Sequence, residues 1–158
     1  MQETGFQVRI VKEAFDPQAE AAAFCAGRDD AGALVSFCGI CRKDEVVAEL
    51  RLDQYEGFTE KEISRITQEV AARFSCPDLL VIHRVGVIKP GEAIVLVAAL
   101  ATHRANAFEA VKVLMDYLKT DAPLWKKETG SSGSRWVEPR AEDYARRKQA
   151  DKPEAGAA

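Results

Sequence analysis

The hydrophobic and polar positions of the chain follow two periods, one typical of strands and one typical of helices. Mostly apolar runs predict five strands, over residues 7–11, 32–39, 46–55, 79–87 and 93–101. Asp16-Pro17 is a typical helix start, and an alanine-rich helix is expected over 18–26. Another helix should begin at Thr59, which forms the capping box T-x-x-E with Glu62.

A third helix and a hairpin are predicted in the C-terminal part of the chain. The helix should begin at Asn106, which with Glu109 resembles a cap. Its apolar stripe consists of Phe108, Val111, Met115 and Leu118. Residues 124–128 and 135–138 predict a hairpin around a Gly-Ser-Ser-Gly tip, and a short, fraying helix should follow from Ala141. This order of elements predicts an α+β fold, with helices packed against a mixed, largely antiparallel sheet.

A single domain is expected over residues 1–145, followed by a polar, disordered tail over 146–158. A chain of 158 residues, 47% apolar and 30% charged, is large enough for one hydrophobic core. Its apolar runs are all shorter than the ~20 residues that cross a bilayer. The first residues also lack the basic and apolar regions of a secretion signal. We therefore expect a cytoplasmic protein with no membrane partner.

The charge is unevenly distributed, although the net charge is only −3. Residues 103–148 contain ten Lys or Arg and seven Asp or Glu, whereas the remainder contains twelve and eighteen. This local excess of positive charge is too small for a nucleic-acid surface, which is usually strongly basic. It fits a small anionic ligand better.

The spacing Cys38-x-x-Cys41 could indicate redox chemistry or half of a zinc site. No second C-x-x-C and no H-x3–5-H completes a metal site, so no metal is predicted. Reduced thiols that pack as small apolar residues are the preferred interpretation. The alternative, thiol–disulfide exchange through both cysteines, predicts that a double serine variant is inactive.

Cationic residues follow two of the predicted buried strands. Arg42 comes after the second strand and His103-Arg104 after the fifth. Strand ends commonly carry ligand-binding groups, and the guanidinium group of arginine binds phosphate through two parallel hydrogen bonds. Each residue alone could be a solvated surface charge. Their placement together favours an anion site, to which the sequence adds Lys119, Lys126 and Lys127.

The length of the third helix constrains this site. Thirteen residues separate Asn106 from Lys119, which corresponds to ~20 Å of helix. A small metabolite cannot contact both His103-Arg104 and Lys119 of one chain over that distance. If all three serve one site, two chains must share it across a symmetric dimer.

Several segments together resemble one family. They read V-I-H-R-V-G, P-G-E, A-T-H-R-A-N-A-F-E-A, M-D-Y-L-K-T-D-A-P-L-W-K-K-E and R-W-V-E. In this order and spacing they are similar to the large, catalytic subunit of molybdopterin synthase, over residues 5–145. Two departures are the sequence C-G-I-C-R before and at Arg42, where the family usually has T-G-x-V-R, and Gln54 and Phe58 in place of the His and Met of some relatives.

The resemblance implies a sulfur transferase of molybdenum cofactor biosynthesis that needs no cofactor of its own. Such an enzyme converts cyclic pyranopterin monophosphate to molybdopterin by adding the two sulfurs of the dithiolene. The sulfur comes from the C-terminal Gly-Gly thiocarboxylate of a small ubiquitin-like carrier subunit. Two carriers bind a homodimer of large subunits, which gives a heterotetramer. The implied fold is an α/β hammerhead with a small additional β portion.

The resemblance also implies roles for individual residues. Lys119 is the main catalytic lysine, and Lys126 assists it. The implied substrate contacts are these two lysines with Ile40, Cys41, Arg42, His103, Arg104, Lys127, Glu128 and Arg140, the last of which matches an arginine that reaches the neighbouring site. Phe37 and Met115 are implied pocket walls, although packing explains them equally well. The alternative to an enzyme is an α+β module that binds a phosphorylated metabolite without reacting.

Overall fold

A computed structural model describes residues 5–43 and 47–152. Along the chain, single helices separate groups of one to three strands. In chain order they are β1 (Gln7–Val11), α1 (Pro17–Cys25), β2 (Ala33–Ile40), β3 (Val47–Gln54), α2 (Phe58–Arg73), β4 (Asp78–Arg84), β5 (Gly86–Ile88), β6 (Ala93–Ala101), α3 (Arg104–Asp121), β7 (Leu124–Gly130), β8 (Gly133–Val137) and α4 (Ala141–Ala150).

The first sheet has the strand order β1-β4-β6-β2 and lies between two layers of helices. Strand β1 pairs with β4 in parallel, and the other pairs are antiparallel. One face packs against α2 and α3 in the main hydrophobic core, and the other packs against Phe24 of α1 and Phe15 before it. Because both faces are covered, every residue of β4 is buried, and its sequence is apolar from Leu79 to Ile82.

The second sheet is antiparallel, with the order β5-β3-β7-β8. It has a small core of its own, formed by Cys41, Leu50, Leu52 and Ile88. Strands β7 and β8 form the predicted hairpin. The predicted α+β fold with a mixed, largely antiparallel sheet is therefore confirmed, and this sheet is its additional β portion.

The single strand predicted over 79–87 is two strands that belong to different sheets. Strand β4 ends at Arg84, and Gly86 then adopts a φ of 85°. This left-handed conformation is accessible to glycine at little cost, and it turns the chain out of the first sheet. Strand β5 consequently pairs with β3. The sequence shows no break there because Val85 and Val87, on either side of Gly86, are both apolar.

Helix α2 starts one residue earlier than predicted and is not capped by Thr59. Gly57 occupies the N-cap position. The Thr59 hydroxyl accepts a hydrogen bond from the Tyr55 backbone N–H at 3.0 Å and donates to the Pro123 carbonyl at 2.8 Å. The predicted capping box with Glu62 is therefore wrong, since Thr59 instead ties the helix to the start of β7.

Helix α3 begins at Arg104, two residues before the predicted start, with His103 at the N-cap position. Asn106 is inside the helix, where its side-chain amide donates to the Phe74 carbonyl at 2.8 Å. Phe108, predicted in the apolar stripe, is 58% exposed. Within the described residues, no helix is both long enough and apolar enough to span a membrane.

Helix α4 crosses the boundary predicted between domain and tail. Residues 146–150, assigned to the tail, form its second half, and Ala150 is buried in the main core. Arg147 forms an ion pair with Asp121 at 3.0 Å, and the Tyr117 hydroxyl donates to Asp151 at 2.8 Å. The polar composition concealed these contacts with α3. Of the predicted tail, residues 153–158 lie outside the described residues, as does residue 46, the predicted start of the third strand.

A close backbone approach at Gly32 joins β2 to the end of β6. The Gly32 N–H donates to the Ala101 carbonyl at 2.9 Å, and a Cβ atom on Gly32 would lie only 2.2 Å from the Thr102 carbonyl oxygen. Gly32→Ala should therefore destabilise the fold by about 1–3 kcal/mol, measured by thermal unfolding. Ser36→Ala, at an exposed position of the adjoining strand β2, is the matched control. An unchanged Tm for Gly32→Ala would contradict the close approach.

Candidate active site

A cavity of about 600 Å³ is lined by residues of both sheets. We call it the inter-sheet cavity. It is lined by the first sheet, the second sheet, the C-terminal half of α3 and the segment from β8 into α4. Four elements distant in sequence therefore contribute to one concave surface, the usual setting of a small-molecule site.

The floor of the cavity is a row of residues across the first sheet. Gly39, Val95 and His83 are cross-strand neighbours, and all three line the cavity. A Cβ atom on Gly39 would lie 3.0 Å from Val95 Cγ1 and 3.7 Å from the Phe37 ring. The absence of a side chain at Gly39 therefore leaves space beside Phe37, which forms part of the wall.

The second sheet supplies a charged wall. Side chains of a strand alternate between faces, and Leu124, Lys126 and Glu128 of β7 all line the cavity. Lys126 Nζ is 3.6 Å from a carboxylate oxygen of Glu128, which also pairs with Arg135 at 3.2 Å. The carboxylate of Glu128 thus holds the Lys126 ammonium group on this face.

The last turns of α3 form the third wall. Met115 and Lys119 are four residues apart, so they lie on the same face of the helix, and both line the cavity. Lys119 is exposed and makes no ion pair with any described residue. Its ammonium group is therefore available to an anion that enters the cavity.

The fourth wall is the segment that leads from β8 into α4. The Arg140 backbone N–H donates to the Asp143 carboxylate at 2.8 Å, which fixes the start of α4. Asp143 also pairs with Arg146 at 3.8 Å. Arg140 and Arg146 both line the cavity, so this segment adds two guanidinium groups to the site.

Most of the residues predicted for the site are brought together. The cavity is lined by Phe37, Ile40, Cys41, Arg42, Met115, Lys119, Lys126, Glu128 and Arg140. Arg42, Lys119, Lys126 and Arg140 come from separate parts of the chain and bring four cationic groups to the cavity. The predicted role of each residue remains a prediction.

Three predicted residues lie outside the inter-sheet cavity of their own chain. His103 and Arg104 are exposed at the N-terminal end of α3, about 22 Å of helix away from Lys119. Lys127 is on the opposite face of β7, with its Nζ 5.6 Å from the Trp136 ring centre. One small ligand cannot contact both His103-Arg104 and Lys119 of the same chain. If all three residues serve one site, that site must be shared by two chains.

The two cysteines of the C-x-x-C segment point into different packing clusters. Cys38 packs on the α1 side of the first sheet, and Cys41 belongs to the core of the second sheet. All four cysteines of the chain are free. Burial raises the pKa of both thiols, although nearby Lys126 acts in the opposite direction on the pKa of Cys41. Protonated, separately packed thiols are poorly suited to disulfide exchange.

His83 is a cavity residue that the sequence did not single out. Its ring is buried, its Nδ1 atom is 3.0 Å from the Arg84 carbonyl oxygen, and burial lowers its pKa below the usual value. The sequence offered only a histidine at the end of an apolar run, a pattern equally typical of a core residue. The sequence did not predict the turn at Gly86, after which the chain joins the second sheet, and the cavity is lined by residues of both sheets.

Comparisons with known proteins identify what the chain resembles. The sequence profile of the MoaE protein family matches residues 10–121. A protein named molybdopterin synthase catalytic subunit from Caulobacter vibrioides is 50% identical over 137 residues, covering 86% of this chain and 91% of that protein. A structure described as a molybdopterin biosynthesis MoaE protein from Burkholderia ambifaria has a TM-score of 0.77 at 43% identity, covering 90% of this chain and 95% of the other.

One structural neighbour is a complex. A structure described as a protein–protein complex of subunits 1 and 2 of molybdopterin-converting factor from Helicobacter pylori has a TM-score of 0.71 at 23% identity. It covers 84% of this chain and 91% of the matched chain. At this level of identity the likeness shows a shared fold.

Proposed function

Because the chain belongs to the MoaE protein family, we propose that it is the catalytic subunit of a molybdopterin synthase. It converts cyclic pyranopterin monophosphate to molybdopterin with sulfur from a carrier protein. The observation that carries this proposal is the convergence of Lys119, Lys126, Arg42 and Arg140 on one cavity. The substrate carries a phosphate and the sulfur donor is a thiocarboxylate, so both ligands are anions.

The reaction consists of a substitution followed by a hydrolysis. The thiocarboxylate sulfur of the carrier attacks an electrophilic carbon of the pterin side chain and forms a carbon–sulfur bond. The bond from that carbon to an oxygen of the cyclic phosphate breaks, and the opened phosphate keeps the electron pair. The carrier is then joined to the pterin through a thioester. Water cleaves that thioester, the sulfur remains on the pterin, and the carrier leaves as a carboxylate. A second carrier supplies the second sulfur of the dithiolene.

Cationic side chains lower the barriers of both steps. Negative charge develops on the carbonyl oxygen when water attacks the thioester, and a fixed ammonium group stabilises that charge in a partly enclosed site. Lys119, whose ammonium group has no partner within the described residues, takes this role beside the carrier tail. Lys126 assists it from the opposite wall, while Arg42 and Arg140 hold the phosphate.

The remaining cavity residues shape the site. Phe37 and Met115 limit its width, and Ile40 and Cys41 line the approach to Arg42. Glu128 positions Lys126. Lys127, which lies against Trp136 on the other face of β7, has no part in the site of its own chain.

The assembly is a homodimer of this chain with one carrier bound to each protomer. The separation of His103 and Arg104 from Lys119 supports this arrangement, since those two residues reach only the cavity of a second chain. A complex of two different subunits is the state of the Helicobacter pylori neighbour. A cytoplasmic location fits the four free thiols, because reducing compartments keep cysteines unpaired.

Reconstitution tests the proposal. The purified chain is mixed with the cyclic precursor and a carrier that ends in Gly-Gly thiocarboxylate, and dithiolene formation is measured. Product should form, and a carrier with an ordinary C-terminal carboxylate, the matched control, should give none. Binding of the precursor without any product would contradict the proposed transferase and support the non-catalytic binding module.

A further inference from the structure

His83 differs from the other polar groups of the inter-sheet cavity because it lies on the floor, within the sheet. Its neighbours across the strands are Ile10 and Val95. The residue is only 8% exposed, and it is one of the residues that line the cavity. Any part of the ring that is not already in contact with the protein can therefore contact only a molecule that enters the cavity.

The hydrogen bond of the ring determines which nitrogen is free. A carbonyl oxygen can only accept, so the 3.0 Å contact with Arg84 places a proton on Nδ1. Burial disfavours the charged form of the ring and lowers its pKa. The neutral ring therefore carries an unprotonated Nε2, which has no hydrogen-bond partner among residues 5–43 and 47–152.

The carboxylates that line the cavity are less suited to accept a proton. Glu49, Glu138 and Glu142 are exposed to solvent. Glu128 is paired with Lys126 and Arg135, and Asp143 is bonded to the Arg140 backbone and to Arg146. Each is thus hydrated or already neutralised, whereas His83 is an enclosed, unpaired base.

The proposed reaction needs a base in only one of its two steps. A thiocarboxylate is already an anion, so its attack on the pterin requires no proton removal. Water is a weak nucleophile, and its attack on the thioester requires a proton acceptor within hydrogen-bond reach. His83 lines the same cavity as Lys119, so its unprotonated nitrogen is placed to meet this requirement for a thioester bound there.

We propose that His83 is the general base that activates water for thioester hydrolysis, an assignment that rests on the proposed function. The water oxygen bonds to the thioester carbonyl carbon while one water proton passes to His83 Nε2. The carbon–sulfur bond then breaks, its electron pair stays on the pterin sulfur, and the carrier leaves as a carboxylic acid. That acid and the imidazolium ring release their protons to solvent, which restores the enzyme.

His83→Asn provides the test, because the asparagine amide can replace the Nδ1–H donor to Arg84 while Nε2 is lost. His83→Gln is the second variant, and Val81→Ala, on the same strand face, controls for altered packing. Single-turnover reactions with precursor and thiocarboxylated carrier are followed by intact-mass spectrometry. Both His83 variants should form product about 10²-fold more slowly than the wild type and accumulate the carrier–pterin thioester. Val81→Ala should accumulate none.

The outcomes separate this inference from the function on which it rests. A wild type that makes no product overturns the proposed function and, with it, this role. A productive wild type whose His83 variants turn over within about threefold, or slow down without thioester, overturns the role of His83 alone. Nitrogen NMR of the wild type supplies a check without any variant, because a protonated Nε2 at neutral pH would also overturn it.

Discussion

Lys119→Ala is expected to reduce molybdopterin formation by about 10³-fold while the protein remains folded. Lys119 lines the inter-sheet cavity and forms no ion pair within the described residues, so its loss leaves no buried charge unpaired. The effect should appear in kcat, because the ammonium group stabilises charge that develops during the reaction. Steady-state kinetics with saturating carrier measure the expected loss of kcat. A thermal unfolding curve tests whether the variant remains folded.

Lys61→Ala, an exposed lysine position on α2, is the matched control and should retain full activity. The same pair of variants distinguishes an enzyme from a module that only binds a phosphorylated metabolite. A binding module would lose affinity for the precursor at most, and would have no turnover to lose. A Lys119→Ala protein with near wild-type kcat would show that this lysine does not take part in the chemistry.

Activity should be restored when two inactive variants are combined in one dimer. Arg104→Ala removes a guanidinium group about 22 Å of helix away from Lys119 of the same chain. If the site is shared, a mixed dimer of Lys119→Ala and Arg104→Ala chains contains one fully intact site and one doubly damaged site. An equal mixture with free subunit exchange should recover roughly a quarter of wild-type activity, since half of the dimers are mixed and each has one site.

The recovery should depend on which residues are paired. Lys119→Ala mixed with Lys126→Ala should show no gain, because both lysines line the cavity of a single chain and each site of that dimer lacks one of them. Equal activity in both mixtures, or none in either, would contradict a site that combines Lys119 of one chain with Arg104 of the next.

The apolar periodicity predicted nearly every strand and helix, and its failures have local causes. Strands β4 and β5 were merged because the apolar residues Val85 and Val87 conceal the turn that the chain makes at Gly86. The tail prediction failed at 146–150 because Arg147 docks a polar helix through Asp121, an interaction that leaves no apolar pattern. Polar contacts between residues distant in sequence, such as this ion pair, cannot be predicted from the periodicity of a single sequence.

The sequence predicted most of the residues that line the cavity, but it did not predict which of them share one face or one site. Strand alternation alone places Lys126 and Lys127 on opposite faces of β7, so the grouping of both into one site could have been avoided. The convergence of Arg140 with Arg42 could not be derived from periodicity, because it depends on where the segment between β8 and α4 lies relative to the end of β2. His83 was missed for a related reason, since its exposure to the cavity depends on where the second sheet departs from the first.

A zero-length cross-link tests most directly whether the carrier tail enters the cavity beside Lys119. The carrier with an ordinary C-terminal carboxylate is mixed with this chain and a carbodiimide, and the amide bond that forms is located by peptide mass spectrometry. The account predicts an amide between the terminal glycine and Lys119, and none on Lys127, which faces away. A cross-link found on Lys127 or Lys61 but not on Lys119 would contradict it.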